Sequence, residues 1–393
     1  KHQSLTQAAE MEQKHHSTGR DDVFLCIPPL YHTGAKFHWM GSLVAGSKAV
    51  LLKGTKPDTI LSAVSSEKCT IVWLLVPWAQ DILDALDRGD LKLEDYELSQ
   101  WRLMHIGAQP VPPSLIKRWK EYFPNHAYDT NYGLSESTGP GCVHLGVENI
   151  HKVGAIGVPG YRWQCKIVDE QGVEVKQGEV GELCVKGPGV MTCYYHNEKA
   201  TAETLKDGWL YTGDRGYLGE DGSLFVSGRF KSLLIAGDGE KYSPEGIEEA
   251  IAELSPYIDY CVLYNNQSPY TAGLIVPNKT ALTEYVKQRE EEPGTVEACK
   301  LMLTKLNEEL MKFRKGGMYE GMFPERWLPA VVGILPEPLT AQNGTVNSTS
   351  KVVRHKVYEV FREELDFLYT PEGKDIRNPR NTKNMKSMIT WKI

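Results

Sequence analysis

The first third of the chain alternates short apolar runs with amphipathic stretches, and this alternation narrows the accessible folds more than any other feature. Residues 23–27, 49–52, 71–76 and 103–106 are continuous apolar runs of strand length. The absence of a polar face marks them as strands buried on both sides. Between them, residues 77–86 and 113–122 carry helical periodicity, each with proline at or near the first turn, where its missing N–H costs nothing. Strands and helices in alternation predict a largely parallel α/β sheet with helices on its faces.

The pattern changes near Val153. Residues 165–226 form short alternating runs separated by Asp169-Glu170-Gln171-Gly172, Gly187-Pro188-Gly189 and Glu220-Asp221-Gly222, which predicts an antiparallel β module. A composition shift at 228–232 reads as a boundary. Beyond it a helix is expected from Ser243 as N-cap, with Pro244 at N1, to about Leu254. Strands at 258–264 and 273–276 and helices at 280–291 and 296–313 complete a smaller α+β domain. After residue 360 the chain is polar and ends in a basic, asparagine-rich run at 378–386, which reads as an irregular tail. The expected division is 1–228, a hinge at 229–232, a small domain at 233–360 and a tail at 361–393.

A length of 393 residues exceeds one ordinary core. The formal charge of −7 gives no reason to expect nucleic acid as a partner, and no apolar run is long enough to span a bilayer. The eight cysteines are scattered with no Cys-x-x-Cys pair, several within apolar runs, so buried free thiols in a reducing, cytoplasmic compartment are expected.

The chemistry concentrates in Asn131-Tyr132-Gly133-Leu134-Ser135-Glu136-Ser137-Thr138-Gly139. One loop offers a ring face for a base, small groups for close approach to phosphate, and a carboxylate for magnesium. Taken alone, Tyr132 reads more readily as a core tyrosine, and Glu136 as an N-cap or loop residue. Later segments in fixed order add weight: Gly181-Glu182-Leu183, Gly187-Pro188-Gly189, Trp209 to Asp214, Gly228-Arg229, then Asn343-Gly344-Thr345 with Lys351.

As an ordered set, these motifs resemble the adenylate-forming superfamily: acyl-CoA synthetases, firefly luciferase and the adenylation domains of peptide synthetases. The resemblance runs from about Asp21 to about Lys356. It implies a partial AMP-binding domain, a hinge and a mobile C-terminal lid. It also implies binding of ATP or AMP, Mg2+ and coenzyme A, with a carboxylic acid as the other substrate. A homodimer is compatible with it. Tyr132 then stacks on adenine, with Asn131, Gly133, Leu134 and Ser135 around it. Gly107-Ala108-Gln109 follows a strand end and lines the base. Asp214 accepts from the ribose hydroxyls, and Arg229 reaches ribose or phosphate. Glu136 holds magnesium. Lys351 supplies positive charge where a carboxylate attacks the α-phosphate. His32, in Pro28-Pro29-Leu30-Tyr31-His32-Thr33-Gly34-Ala35, faces the acyl group, with Trp39 and Met40 as pocket or core. Gly237 and Gly239 let a pantetheine arm pass close to backbone once the small domain rotates. Ser232 at the hinge departs from the family's Asp, Lys or Glu, and Asn347 and Cys193 replace a usual threonine and glycine.

The family's Ser/Thr- and Gly-rich phosphate loop does not precede Asp21. The chain is therefore expected to be the C-terminal part of a longer enzyme, turning over poorly by itself. The expected activity is AMP-forming ligation of an acid to CoA. The Asn343-to-Lys351 variant points to a medium- or long-chain fatty acid, with an aryl acid as the close rival. Loading of a separate carrier protein and a non-catalytic binding role are the other classes; retention of Glu136, Asp214, Arg229 and Lys351 argues against the last.

Overall fold

A computed structural model describes residues 2–107, 111–146, 151–152, 154–347 and 351–391. The chain divides into two compact units, Lys1–Val226 and Ser227–Ile393.

The first unit opens with helix α1 (His2–His15), followed by β1 (Val23–Cys26), α2 (Thr33–Ala45), β2 (Lys48–Leu51), α3 (Pro57–Glu67), β3 (Ile71–Leu75), α4 (Val76–Asp87), β4 (Leu103–Gly107), α5 (Pro113–Tyr122) and β5 (Ala127–Asp129). The strands pair in parallel in the order β2-β1-β3-β4-β5, as the alternation predicts. One face of the sheet carries Leu25, Val72, Leu74, Met104, Ile106 and Tyr128, buried with Ile60, Leu61, Ile82, Leu83, Ile116 and Trp119 from α3, α4 and α5. On the other, Phe24, Cys26, Trp73 and Leu75 pack with Ala35 of α2. Trp73, His105 and Asp129 are register partners across β3, β4 and β5, so they share this second face.

The chain then forms β6 (Asn131–Leu134), β7 (Gly139–His144) and β8 (Val158–Pro159), an antiparallel sheet. A second antiparallel sheet is built from β9 (Gln164–Val168), β10 (Gly181–Lys186), β11 (Leu205–Lys206), β12 (Trp209–Leu218) and β13 (Leu224–Arg229), with α6 (Glu198–Thr204) before β11. The expected antiparallel module at 165–226 is therefore present.

The second unit contains β14 (Leu234–Ala236), β15 (Lys241–Tyr242), α7 (Glu245–Glu253), β16 (Ile258–Tyr264), β17 (Asn266–Ser268), β18 (Ala272–Pro277), α8 (Lys279–Lys287), α9 (Val296–Met311), β19 (Val331–Ile334), α10 (Arg354–Val360), α11 (Arg362–Leu368) and α12 (Pro379–Met388). Ser243 is not the N-cap of α7. Pro244 holds that place, and the Ser243 hydroxyl donates to the Glu245 carboxylate at 2.6 Å.

The expected irregular tail at 361–393 is wrong where it is described. Its Leu365, Leu368, Met385, Met388 and Trp391 belong to the core of the second unit. The asparagines that suggested disorder close a sheet edge. In the order β16-β18-β19 the last strand is exposed on one side. Asn381 accepts from the N–H of Ile334 and donates to the carbonyl of Val332, both at 2.9 Å, and Asn384 donates to the carbonyl of Ile334 at 2.8 Å. Side-chain amides thus replace a missing neighbouring strand.

All eight cysteines are free. Six are buried, but Cys165 is half-buried and Cys193 exposed, so burial does not extend to every thiol as expected. Among the described residues no helix is long and apolar enough to cross a membrane.

Candidate nucleotide site

The loop after β6 is built from its own small side chains. The Ser137 hydroxyl accepts from the N–H of Leu134 at 2.8 Å and lies within bonding distance of the carbonyls of Leu134 and Gly139. Thr138 takes a left-handed conformation (φ 62°) and donates its hydroxyl to the carbonyl of Gly189. Two glycines are obligatory here. A Cβ on Gly139 would lie 1.8 Å from the Phe37 ring of α2, and one on Gly189 would lie 2.4 Å from the Ser137 carbonyl. The Gly187-Pro188-Gly189 turn is therefore a support pressed against this loop.

Above that support, Tyr132 and Asp214 meet. The Tyr132 hydroxyl donates to Asp214 Oδ2 at 2.5 Å, although 82 residues separate them. This is a charge-assisted bond to a carboxylate that is 6% exposed. Burial, and then the Asp214 charge, push the Tyr132 phenol well above its ordinary value, so it stays a donor. The turn carrying Asp214 is fixed from below. The N–H of Gly213 donates to Glu182 Oε1 at 2.8 Å, and Thr212 Oγ1 donates to the Leu183 carbonyl while accepting from the N–H of Asp214. Glu136 lies in a short helical turn, Ser135–Ser137, half-buried, and accepts from the Tyr194 hydroxyl at 2.8 Å.

His32 sits at the N-cap of α2 with its ring centroid 5.4 Å from that of Trp73. Gly107 ends β4, where a Cβ would stand 3.6 Å from Asn131 Oδ1 and 3.8 Å from Trp73 Nε1. Trp73 thus links His32 to Gly107 and Asn131. Gly133, Leu134 and Ser135 lie in the same β6 loop. The Asn131 side chain turns inward and donates to Glu12 Oε1 at 2.8 Å, so its amide orders the loop from beneath. Ala108 and Gln109 lie outside the described residues.

The remaining predicted residues belong to the second unit. Arg229 is exposed at the end of β13. Gly237 and Gly239 form the β14–β15 hairpin, whose Glu240 accepts from Arg326 at 2.6 Å and Trp327 at 3.0 Å. Lys351 is exposed, its backbone N–H bonded to Asn347 Oδ1 at 3.0 Å in a loop closed by Val346 against Val352. Asn343 organises that loop through Thr340 and Thr345.

Within the first unit, Tyr132 and Asp214 are in contact, Gly107 lies against Asn131 and Trp73, His32 lies against Trp73, and Glu136 follows Tyr132 in the β6 loop. Sequence reasoning missed Tyr194, Trp73 and the supporting role of Glu182. Glu182 stood inside a quoted motif, and Tyr194 beside a noted one, but neither position reveals its partner.

The parallel α/β sheet with its antiparallel modules is the adenylate-forming fold. Residues 1–195 match the AMP-binding enzyme family. It is 33% identical over 247 residues to 4-coumarate–CoA ligase-like 3 of Arabidopsis thaliana, covering 62% of this chain and 44% of that one. It is 34% identical over 232 residues to 2-succinylbenzoate–CoA ligase of Bacillus anthracis, covering 59% and 46%. The chain thus spans about half the length of the curated relatives it matches.

Among solved structures, the O-succinylbenzoate coenzyme A synthetase of Bacillus subtilis in complex with AMP superposes with a TM-score of 0.68 at 22% identity, covering 90% of this chain and 64% of that one. The same synthetase has been solved with ATP and magnesium. The amide bond synthetase of Marinactinospora thermotolerans gives 0.69 at 22%, covering 91% and 65%.

Proposed function

We propose that this chain is part of an AMP-forming acid–CoA ligase whose acid is aromatic. In the first step a carboxylate oxygen of the acid attacks the α-phosphorus of ATP. The bond to the β-phosphate oxygen breaks, and pyrophosphate leaves. In the second, the CoA sulfur attacks the acyl carbon, AMP leaves with the electron pair, and the thiol proton passes to solvent. Tyr132 and Asp214 hold adenosine. Glu136 has the oxygen donor magnesium prefers, and its hydroxyl partner Tyr194 keeps the second carboxylate oxygen available. Lys351 stabilises charge at the α-phosphate, while Gly237 and Gly239 serve the thiol step.

One observation carries this reading: the 2.5 Å bond that brings Tyr132 and Asp214 together beside the Glu136 loop. An aromatic acid replaces the fatty acid expected from the Asn343-to-Lys351 loop for two reasons. Asn343 is occupied in holding Thr340 and Thr345. The two curated relatives are named for coumarate and succinylbenzoate. His32, half-buried and backed by the buried Trp73, offers a ring for such an acid.

The test is pyrophosphate release by the full-length protein with a panel of aryl and fatty acids, with and without CoA, beside calorimetric titration with an aryl-adenylate analogue. Analogue binding and aryl-dependent release are expected. No binding and no release with any acid would overturn the proposal, and release with fatty acids alone would overturn the aromatic assignment.

A further inference from the structure

Beneath the nucleotide region lies a cluster that ligation chemistry does not use. Glu12 and His16 come from the end of α1 and the turn after it, His38 from α2 and His105 from the middle of β4. Their relative exposures are 0, 3, 2 and 0%. Glu12 and His16 are four residues apart, the spacing that places two side chains on one helical face.

The distances among these groups are specific. His16 Nδ1, His38 Nε2 and His105 Nδ1 each lie 3.7 Å from the same atom, Glu12 Oε1. His105 Nδ1 and His38 Nε2 are 3.0 Å apart. All four atoms fall within 4.8 Å of one another. A separation of 3.7 Å is too long for a hydrogen bond. Ligands about 2.0–2.1 Å from a tetrahedral ion, however, stand roughly 3.3 Å apart. Three nitrogens ringed around one carboxylate oxygen at that scale fit a shared central ion better than mutual hydrogen bonds.

The surroundings match what such ligands need. His16 Nε2 lies 2.7 Å from Asp129 Oδ2, the carboxylate partner that fixes ring orientation in carboxylate–histidine–metal triads. Glu12 Oε1 is oriented by the Asn131 amide. A divalent cation would also offset the carboxylates that Glu12 and Asp129 bring into a dry interior.

We propose that Glu12, His16, His38 and His105 form a structural site for one first-row divalent transition metal, zinc being the expected occupant. Three imidazoles and one carboxylate are a borderline donor set that suits zinc and excludes magnesium or calcium as the preferred ion. All four positions are filled by protein and sealed from solvent, which is the pattern of a structural site. The ion ties α1 and α2 to the sheet under Asn131. Its test reads metal content and thermal midpoint and does not rest on the proposed ligase reaction.

The test is elemental analysis of the chain, purified without a histidine tag and dialysed against zinc and then against metal-free buffer. One zinc per chain is expected, and cobalt substitution should give the intense visible bands of a four-coordinate ion. Chelation should lower the thermal midpoint and zinc should restore it. Asp129→Asn, which leaves all four ligands in place, should weaken zinc binding about 10- to 100-fold, whereas His15→Asn should leave stoichiometry at one. Two results would overturn the site. One is less than about a tenth of an equivalent of any transition metal with a midpoint insensitive to zinc. The other is metal retained in His38→Gln but lost in His15→Asn, which would move the ion to His15, His16 and Asp129.

Discussion

Replacing Tyr132 by phenylalanine separates two roles assigned to one side chain. The substitution removes the hydroxyl that donates to Asp214 at 2.5 Å and keeps the ring. A hydrogen bond to a charged group contributes about 1.5–3 kcal/mol, and here the acceptor is almost fully buried. For a folding unit of about 150–250 residues, 1 kcal/mol moves the midpoint by about 2–4 °C, so the first unit should melt about 3–12 °C lower. The assay is differential scanning calorimetry followed by titration with AMP. Because the ring remains, AMP affinity should stay within a few-fold of the parent. Tyr132→Ala should melt lower still and lose a further 5- to 150-fold in affinity, which corresponds to roughly 1–3 kcal/mol of base stacking. A midpoint lowered by less than about 1 °C in the phenylalanine variant would refute the buried bond. Equal AMP affinity in both variants would refute stacking of the ring on adenine.

Other parts of the molecule give four more expected outcomes. Glu136→Gln should lower magnesium-dependent pyrophosphate release about 100-fold or more while sparing AMP binding, as expected for loss of one charged group at the reacting phosphate. Lys351→Ala should abolish adenylation but leave thioester formation from supplied acyl-adenylate; an equal fall in both would end its assignment to the first step. Burial, helped by the Lys120 charge, pushes the buried His126 down to about 4. The unfolded chain then binds the extra proton first, so stability falls as pH drops from about 6.5 to 4, by up to about 3 kcal/mol. His126→Asn should flatten that limb in acid-denaturation curves. With a disulfide reagent at neutral pH, Cys193 should react rapidly and alone, since burial pushes Cys26 up to about 11 and Cys69, Cys142 and Cys184 up to about 12.

The parallel sheet was legible because strands 71–75 and 103–107 are buried on both faces and so contain long apolar runs. Helix α1 was not. Its buried side includes Ser4, Glu12 and Gln13, so the apolar periodicity that announces a helix is absent. Helix α12 was hidden for a related reason: Asn381 and Asn384 look solvated in sequence but bond the open edge of β19. His105 sits in a strand read correctly as buried, whereas Asp129 sits in β5, which the sequence reading did not assign; the two ionisable groups in register form the signal that could have revealed the cluster beneath them.

These misses share a cause. Apolar periodicity reports burial against carbon, and it says nothing where polar groups are buried against each other. The ordered motifs filled part of that gap, because several of their residues hold the loops rather than a ligand. Glu182 anchors the turn before Asp214, while Gly187 and Gly189 let the turn close on Trp163 and Ser137. A site made of separate loops needs such anchors near both ends of each contact. That is why a glutamate and a Gly-Pro-Gly turn recur in order with a tyrosine and an aspartate, though neither anchor is assigned to the nucleotide. The same logic extends downward. Asn131 begins the loop that presents Tyr132 and donates to Glu12, so the geometry above depends on the charge state of the cluster below. An ion held there would fix Glu12 as a carboxylate and Asn131 as its donor, setting the loop before any nucleotide arrives.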